Sequence, residues 1–248
     1  MSSNPVFGLH AVKSVLSNNP KSVQRLLLSD VRSDKRLAEI EELAARQNIK
    51  VERAGQSELQ KLVGEERHQG VLAVCRAREV LSEPELLKLV MSADKPFLLI
   101  VDEVTDPHNL GAILRSADAA GVDAVIVPKN GSVGLTPVVR KVACGAAETI
   151  AFCPVSNLAR TLSELKSIGI WLYGASDAAE SAYTAVDYSG AVGLIVGAEG
   201  KGLRRLTKEA CDGLISIPMA GTVSSLNVSV ATGICLFEVV RQRVKADS

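Results

Sequence analysis

The chain has few aromatic residues, few histidines and no surplus of charge. Phe, Trp and Tyr make up 3% of 248 residues, with one Trp, so any core it builds is aliphatic. Lys plus Arg equal Asp plus Glu at 28 each, which argues against indiscriminate polyanion binding. Cys75, Cys144, Cys153, Cys211 and Cys235 stand far apart, with no Cys-x-x-Cys pair and no grouping with the three histidines. Disulfides and structural zinc are therefore not expected, and no bound metal is expected; the thiols read as small buried hydrophobes. No apolar run reaches membrane-spanning length, and Met1-Ser-Ser-Asn-Pro5 lacks a secretory pattern. A cytoplasmic protein without a membrane partner is expected. Internal repeats and low-complexity tracts are also missing.

What is present is a large aliphatic fraction and a division of charge. Hydrophobic residues account for 47%, enough for a sizeable core. Residues 1–78 hold 13 basic and 9 acidic side chains, a balance of +4, whereas residues 79–248 balance at −4. A basic segment beside an acidic one fits a polyanion-gripping module joined to another domain. Residues 1–78 read as a small α/β domain, with helices at Gly8–Asn18, Asp34–Gln47 and Glu58–Val63 and strands at Val23–Leu28, Ile49–Ala54 and Gly70–Cys75. A charged stretch, residues 79–95, which holds Pro84 and runs up to Pro96, reads as a linker around a helix at Glu85–Met91. From residue 96 to 248, unbroken apolar runs at Phe97–Val101, Ala124–Val127, Ile150–Phe152, Ile170–Tyr173, Val192–Val196 and Leu214–Ile217 alternate with helical patterns. Strands apolar on both faces imply a parallel sheet covered by helices, with ligands at the strands' carboxyl ends.

Three strand-to-helix loops carry the chemistry. The first holds Asp106, His108, Asn109, Gly111 and Arg115. Taken singly, Asp106 and Asn109 fit helix capping, His108 fits a cap or packing role, and Arg115 fits a surface ion pair. Arg115 also suits a phosphate grip, because its planar fork matches phosphate oxygens. The second loop, Gly197-Ala-Glu199-Gly-Lys-Gly202, matches neither G-x-G-x-x-G nor the G-K-[ST] phosphate loop. Glu199 would repel a phosphate, so a neutral or cationic ligand suits it better. The third runs from Ile217 through a small-residue turn into a helix whose first turns carry Ser225, Asn227 and Ser229. Spacing by four puts Ser225 and Ser229 on one helix face. Capping and close helix packing at Ala231 and Gly233 would account for the serines.

Together, Asn109-x-Gly111-x-x-x-Arg115, Gly197-x-Glu199-Gly-x-Gly202 and Ile217-Pro-Met…Ser-Ser-Leu-Asn227-Val-Ser-Val-Ala resemble the three motifs of the SpoU (TrmH-type) RNA ribose 2′-O-methyltransferases, in the family's order and spacing. The likeness spans residues 96–243, and residues 1–78 resemble the ribosomal-protein-like RNA-binding domain of the subgroup that methylates a guanosine in 23S ribosomal RNA. The resemblance implies a trefoil knot in the C-terminal sheet domain, S-adenosylmethionine as cofactor, ribosomal RNA as partner, and a homodimer with the last helix at its interface. It implies Asn109, Arg115, Glu199, Ser225 and Asn227 as the catalytic set, with cofactor contacts around Gly197, Ile217, Met219 and Leu226. The family's arginine at the position of Arg115 has been proposed as the base, although a guanidinium does not deprotonate in proteins. Two other readings remain: a nucleotide-binding oxidoreductase with an unusual glycine loop, and a non-catalytic RNA-binding protein of ribosome assembly.

Overall fold

The computed structural model describes residues 3–32, 34–64, 68–76, 79–198 and 200–246. They divide into two compact units, one drawn from residues 1–79 and 135–149, the other from 80–134 and 150–248.

In the first unit the chain runs β1 (Ser3–Phe7), α1 (Leu9–Asn18), β2 (Val23–Ser29), α2 (Lys35–Arg46), β3 (Val51–Ala54), α3 (Gln56–Val63) and β4 (Val71–Arg76). The sheet order is β1-β4-β2-β3, with β3 parallel to β2 and the other pairs antiparallel. Leu26 and Leu28 join Val12, Val15 and Ile40 in one core, while Leu27 joins Phe7, Leu59 and Leu72 in a second. This is the period of two expected of a strand covered on both faces. Asp34 starts α2 by accepting from the amides of Arg36 and Leu37 at 3.0 Å each. The sequence reading expected three strands; β1 is a fourth. It is an edge strand containing Pro5, a residue that offers no ladder donor and hides the strand from periodicity.

The second unit begins with α4 (Glu83–Ser92), closed by a capping box in which Ser82 N and Oγ donate to Glu85 Oε2 at 2.8 and 2.6 Å. The stretch expected as a linker thus supplies a core helix. Leu86 and Val90 are buried in the sheet's core, each contributing about 1.5–3 kcal/mol. Then follow β5 (Phe97–Asp102), α5 (Pro107–Ala119) and β6 (Ala124–Pro128). Next, α6 (Pro137–Val142) and α7 (Ala146–Thr149) fall in the first unit, α6 against β1 and α7 against α1, with Val139, Ala143, Ala146 and Ala147 buried. Asn19 Nδ2 donates to the Glu148 carbonyl at 3.2 Å, and Arg140 pairs with the buried Glu148 carboxylate. The second unit resumes with β7 (Ala151–Val155), α8 (Leu158–Ser167), β8 (Trp171–Ala175), β9 (Ser181–Ala182), β10 (Val192–Gly197), α9 (Arg205–Ala210), β11 (Gly213–Ser216) and α10 (Val228–Ala246).

These strands form one sheet, ordered β7-β6-β5-β10-β8-β11-β9, every neighbouring pair parallel. All six residues of β5 are buried, as are Val192–Val196 of β10. This agrees with the expected sandwich of a parallel sheet between helices. β10 lies between β5 and β8 although residues 171–175 precede it, so the chain order reverses there. Such a switch point opens a crevice at the strands' carboxyl ends. Among the described residues no helix is long and apolar enough to cross a membrane.

Candidate active site

A cavity of about 780 Å³ opens at the carboxyl ends of β8, β10 and β11. Its lining includes Ala175–Asp177, Val196–Ala198, Gly200–Gly202, Ile215–Met219, Ser224–Val228 and Ala231. Two of the three loops singled out from the sequence therefore converge on one space. All four expected cofactor residues, Gly197, Ile217, Met219 and Leu226, line it, as do Ser225 and Asn227.

The glycine loop after β10 is sharply folded. Gly202 N donates to Ala198 O at 2.9 Å, and Gly200 and Gly202 take φ values of 74° and 64°. A Cβ on Gly197 would lie 2.2 Å from Gly202 C and 2.5 Å from Leu203 N, so only glycine fits. At Gly197, Gly200 and Gly202 the loop has only backbone to present to the cavity.

The third loop departs from the sequence reading. Its helix was expected from Ser225, but α10 starts at Val228, so Ser225 lies before the helix and shares no helix face with Ser229. The cause is Asn227. Its Oδ1 accepts from Ser229 N at 2.9 Å and Ser229 Oγ at 2.6 Å, the pattern of a helix cap. Its Nδ2 donates to Asn109 Oδ1 at 3.0 Å. One amide thus starts α10 and reaches α5, where Asn109 is buried. Gly233 is not required by helix packing, since a Cβ there would meet Ser116 Oγ at an ordinary 3.8 Å.

In the first loop Asp106 caps α5 by accepting from His108 N at 2.9 Å, which leaves His108 as an exposed first-turn residue. Asn109 joins the cavity through Asn227 and not by lining it. Arg115 is exposed further along α5 and is not among the described lining residues. Glu199 lies outside the described residues. The sequence reading missed Ala175–Asp177, Lys201 and Lys208. The segment after β8 had a signal, since it leaves a strand's carboxyl end beside β10.

Chemically, the cavity offers backbone groups, short hydroxyls, an amide and apolar walls from Val196, Ile217 and Met219. Among the described lining residues the charged ones are Asp177, Lys201 and Lys208, with no phosphate cradle of the standard kind. Neither Cys211 nor Cys235 is among the described lining residues, and burial pushes their thiols up to about 11 and about 12, which disfavours the nucleophilic thiolate. The residues suit a small, partly apolar ligand with a neutral or cationic reactive end.

A parallel sheet whose strand order reverses at β10, with this cavity at the carboxyl ends of its strands and an asparagine pair joining two of its helices, defines an α/β fold with a ligand-sized site. Residues 96–237 match the SpoU rRNA Methylase family, and residues 5–81 match the family described as RNA 2'-O ribose methyltransferase substrate binding. The chain belongs to the SpoU rRNA methylase family. The 23S rRNA (guanosine-2'-O-)-methyltransferase RlmB of Pseudomonas putida is 52% identical over 239 residues, which cover 96% of each chain. Its namesake in Shewanella oneidensis is 50% identical over 238 residues, covering 96% of this chain and 97% of that one. Among solved structures, the SpoU methyltransferase AviRb from Streptomyces viridochromogenes, in complex with the cofactor AdoMet, aligns with a TM-score of 0.76 at 26% identity, covering 98% of this chain and 91% of that chain.

Proposed function

We propose that this chain methylates the ribose 2′-oxygen of a guanosine in 23S ribosomal RNA with S-adenosylmethionine, as a cytoplasmic homodimer. The observation that carries the reading is the cavity in which Gly197, Ile217, Met219, Ser225, Leu226 and Asn227 meet. Backbone around Gly197, Ile217 and Leu226 would hold the adenosine part, with Met219 alongside. When bound, the cofactor supplies an electrophilic methyl on a sulfonium, which needs no metal. The protein's own task is alignment, and fixing two reactants in line supplies several kcal/mol of the barrier reduction.

The amide network gives that alignment a physical basis. Asn227 is held by both Ser229 and Asn109, so its position is set by two helices at once. Ser225, beside it in the lining, offers a hydroxyl to the entering nucleotide. Arg115 binds the target phosphate and positions the hydroxyl, whose proton passes to phosphate or water. The role of Glu199 rests on its motif position. A pH–rate profile of single-turnover transfer tests Arg115: loss of a titrating limb in Arg115→Ala would make it the base and overturn this assignment.

The first unit is the substrate module. Its match to a substrate-binding family and its +4 balance support recognition of folded RNA through phosphates and shape. Dimerisation is supported by α10, where Val230, Phe237 and Val244 recur every seven residues and are 50%, 49% and 61% exposed. An apolar stripe of this spacing suits a second helix. The function is tested by incubating 23S RNA from cells lacking the modification with labelled cofactor and mapping ribose methylation. One methylated guanosine supports the reading; label in bases, or none, refutes it.

A further inference from the structure

One ion cluster outside the cavity lining links the first and second loops. Asp102 ends β5 and is 1% exposed. Its Oδ1 accepts from Arg204 Nε at 2.8 Å and Nη2 at 2.6 Å, and its Oδ2 accepts from Arg204 N at 3.2 Å. The remaining Nη1 donates to Glu103 Oε1 at 2.9 Å. Glu103 has a φ of 60°, a left-handed conformation that a glutamate rarely holds without outside restraint. Beside it, Gly131 is at φ 82°, and a Cβ there would come within 3.1 Å of Glu103 Oε1.

Asp102 also sits opposite Gly197 in the β5–β10 register. One residue thus anchors both ends of the glycine loop: its backbone beside Gly197, and its carboxylate on Arg204. Between those anchors lie Gly200 and Gly202, which with Gly197 give the segment more backbone freedom to lose than any other part of the wall. A buried carboxylate needs partners of this quality, because leaving one unpaired is strongly destabilising.

We propose that Asp102 and Arg204, with Glu103, form a positioning device that holds the 197–204 loop in its cofactor-accepting shape. The assignment deepens the methyltransferase reading and rests on it. Asp102→Asn is the informative change, since it keeps shape and leaves no unpaired buried anion. Hydrogen exchange on the cofactor-free protein should speed up in 198–204 by about tenfold or more, while β11 and α10 keep native protection. The dissociation constant for S-adenosylmethionine should rise by about tenfold, while kcat at saturating cofactor changes by less than about threefold. Arg204→Lys, which keeps the charge and loses the fork, should fall between. Native exchange in the loop, or a fall in kcat with unchanged cofactor affinity, overturns the proposal. A wild-type protein that does not bind the cofactor defeats the functional reading instead, and the exchange result still decides whether the pair holds the loop.

Discussion

Gly197→Ala puts the cavity wall to a quantitative test. The added methyl would sit 2.2 Å from Gly202 C, 2.3 Å from Gly202 O and 2.5 Å from Leu203 N, where ordinary contacts begin at 3.4 Å. All three neighbours are backbone, so no side chain can rotate away, and the loop must retreat by more than an ångström. Overpacking of this kind costs about 1–3 kcal/mol. If about 2 kcal/mol falls on the cofactor-accepting shape of the loop, affinity drops about thirtyfold. Gly200→Ala is the control: it has open space, and its only penalty is a φ of 74°. That conformation costs about 1–2 kcal/mol, so its effect on affinity should be smaller. Isothermal titration with S-adenosylmethionine reads the affinities, and thermal melts show whether the fold is retained. Wild-type affinity in Gly197→Ala with an unchanged melting temperature would refute the reasoning.

Other consequences follow from the second unit. Arg243 donates to the carbonyls of Tyr188, Lys95, Pro96 and Gly190 at 3.3, 3.0, 3.3 and 2.7 Å and lies 5.1 Å from the centre of the Phe97 ring. Arg243→Ala should therefore cost about 2–4 kcal/mol in urea denaturation. Phe237→Asp, at a half-exposed site on α10, should leave the fold intact and convert the proposed dimer to monomer in sedimentation. Burial raises Cys75, Cys153 and Cys211 to about 11 and Cys235 to about 12 from an ordinary 9.0. Their raised folded values contribute stability in full below pH 9.0, lost as pH rises from there toward 11–12, so melting temperature should fall across that window. An unchanged melting temperature there would contradict the assigned burial.

Unbroken apolar runs disclosed the parallel sheet because strands buried on both faces leave no polar alternation to confuse with a helix. β1 was hidden by Pro5, and β9 by its length of two residues. The helix at residues 83–92 was legible, but its burial was not, because its charged flanks look the same beside a core or in a linker. The early helix start at Ser225 was misread because Asn227 caps by a side-chain bond that periodicity does not register. Gly197, Ile217, Met219 and Leu226, offered for cofactor contact only by the family resemblance, line one cavity, whereas Asp102 and Arg204 meet across 102 positions and leave no local trace. A knot likewise leaves no mark in spacing, so that expectation came only through the family resemblance.

Equilibrium dialysis of the purified full chain against labelled S-adenosylmethionine, with labelled NAD in a parallel cell, tests the central claim most directly. Saturable retention of the methyl donor and none of the dinucleotide is the predicted result. Failure to retain the donor, or preference for NAD, would contradict the account.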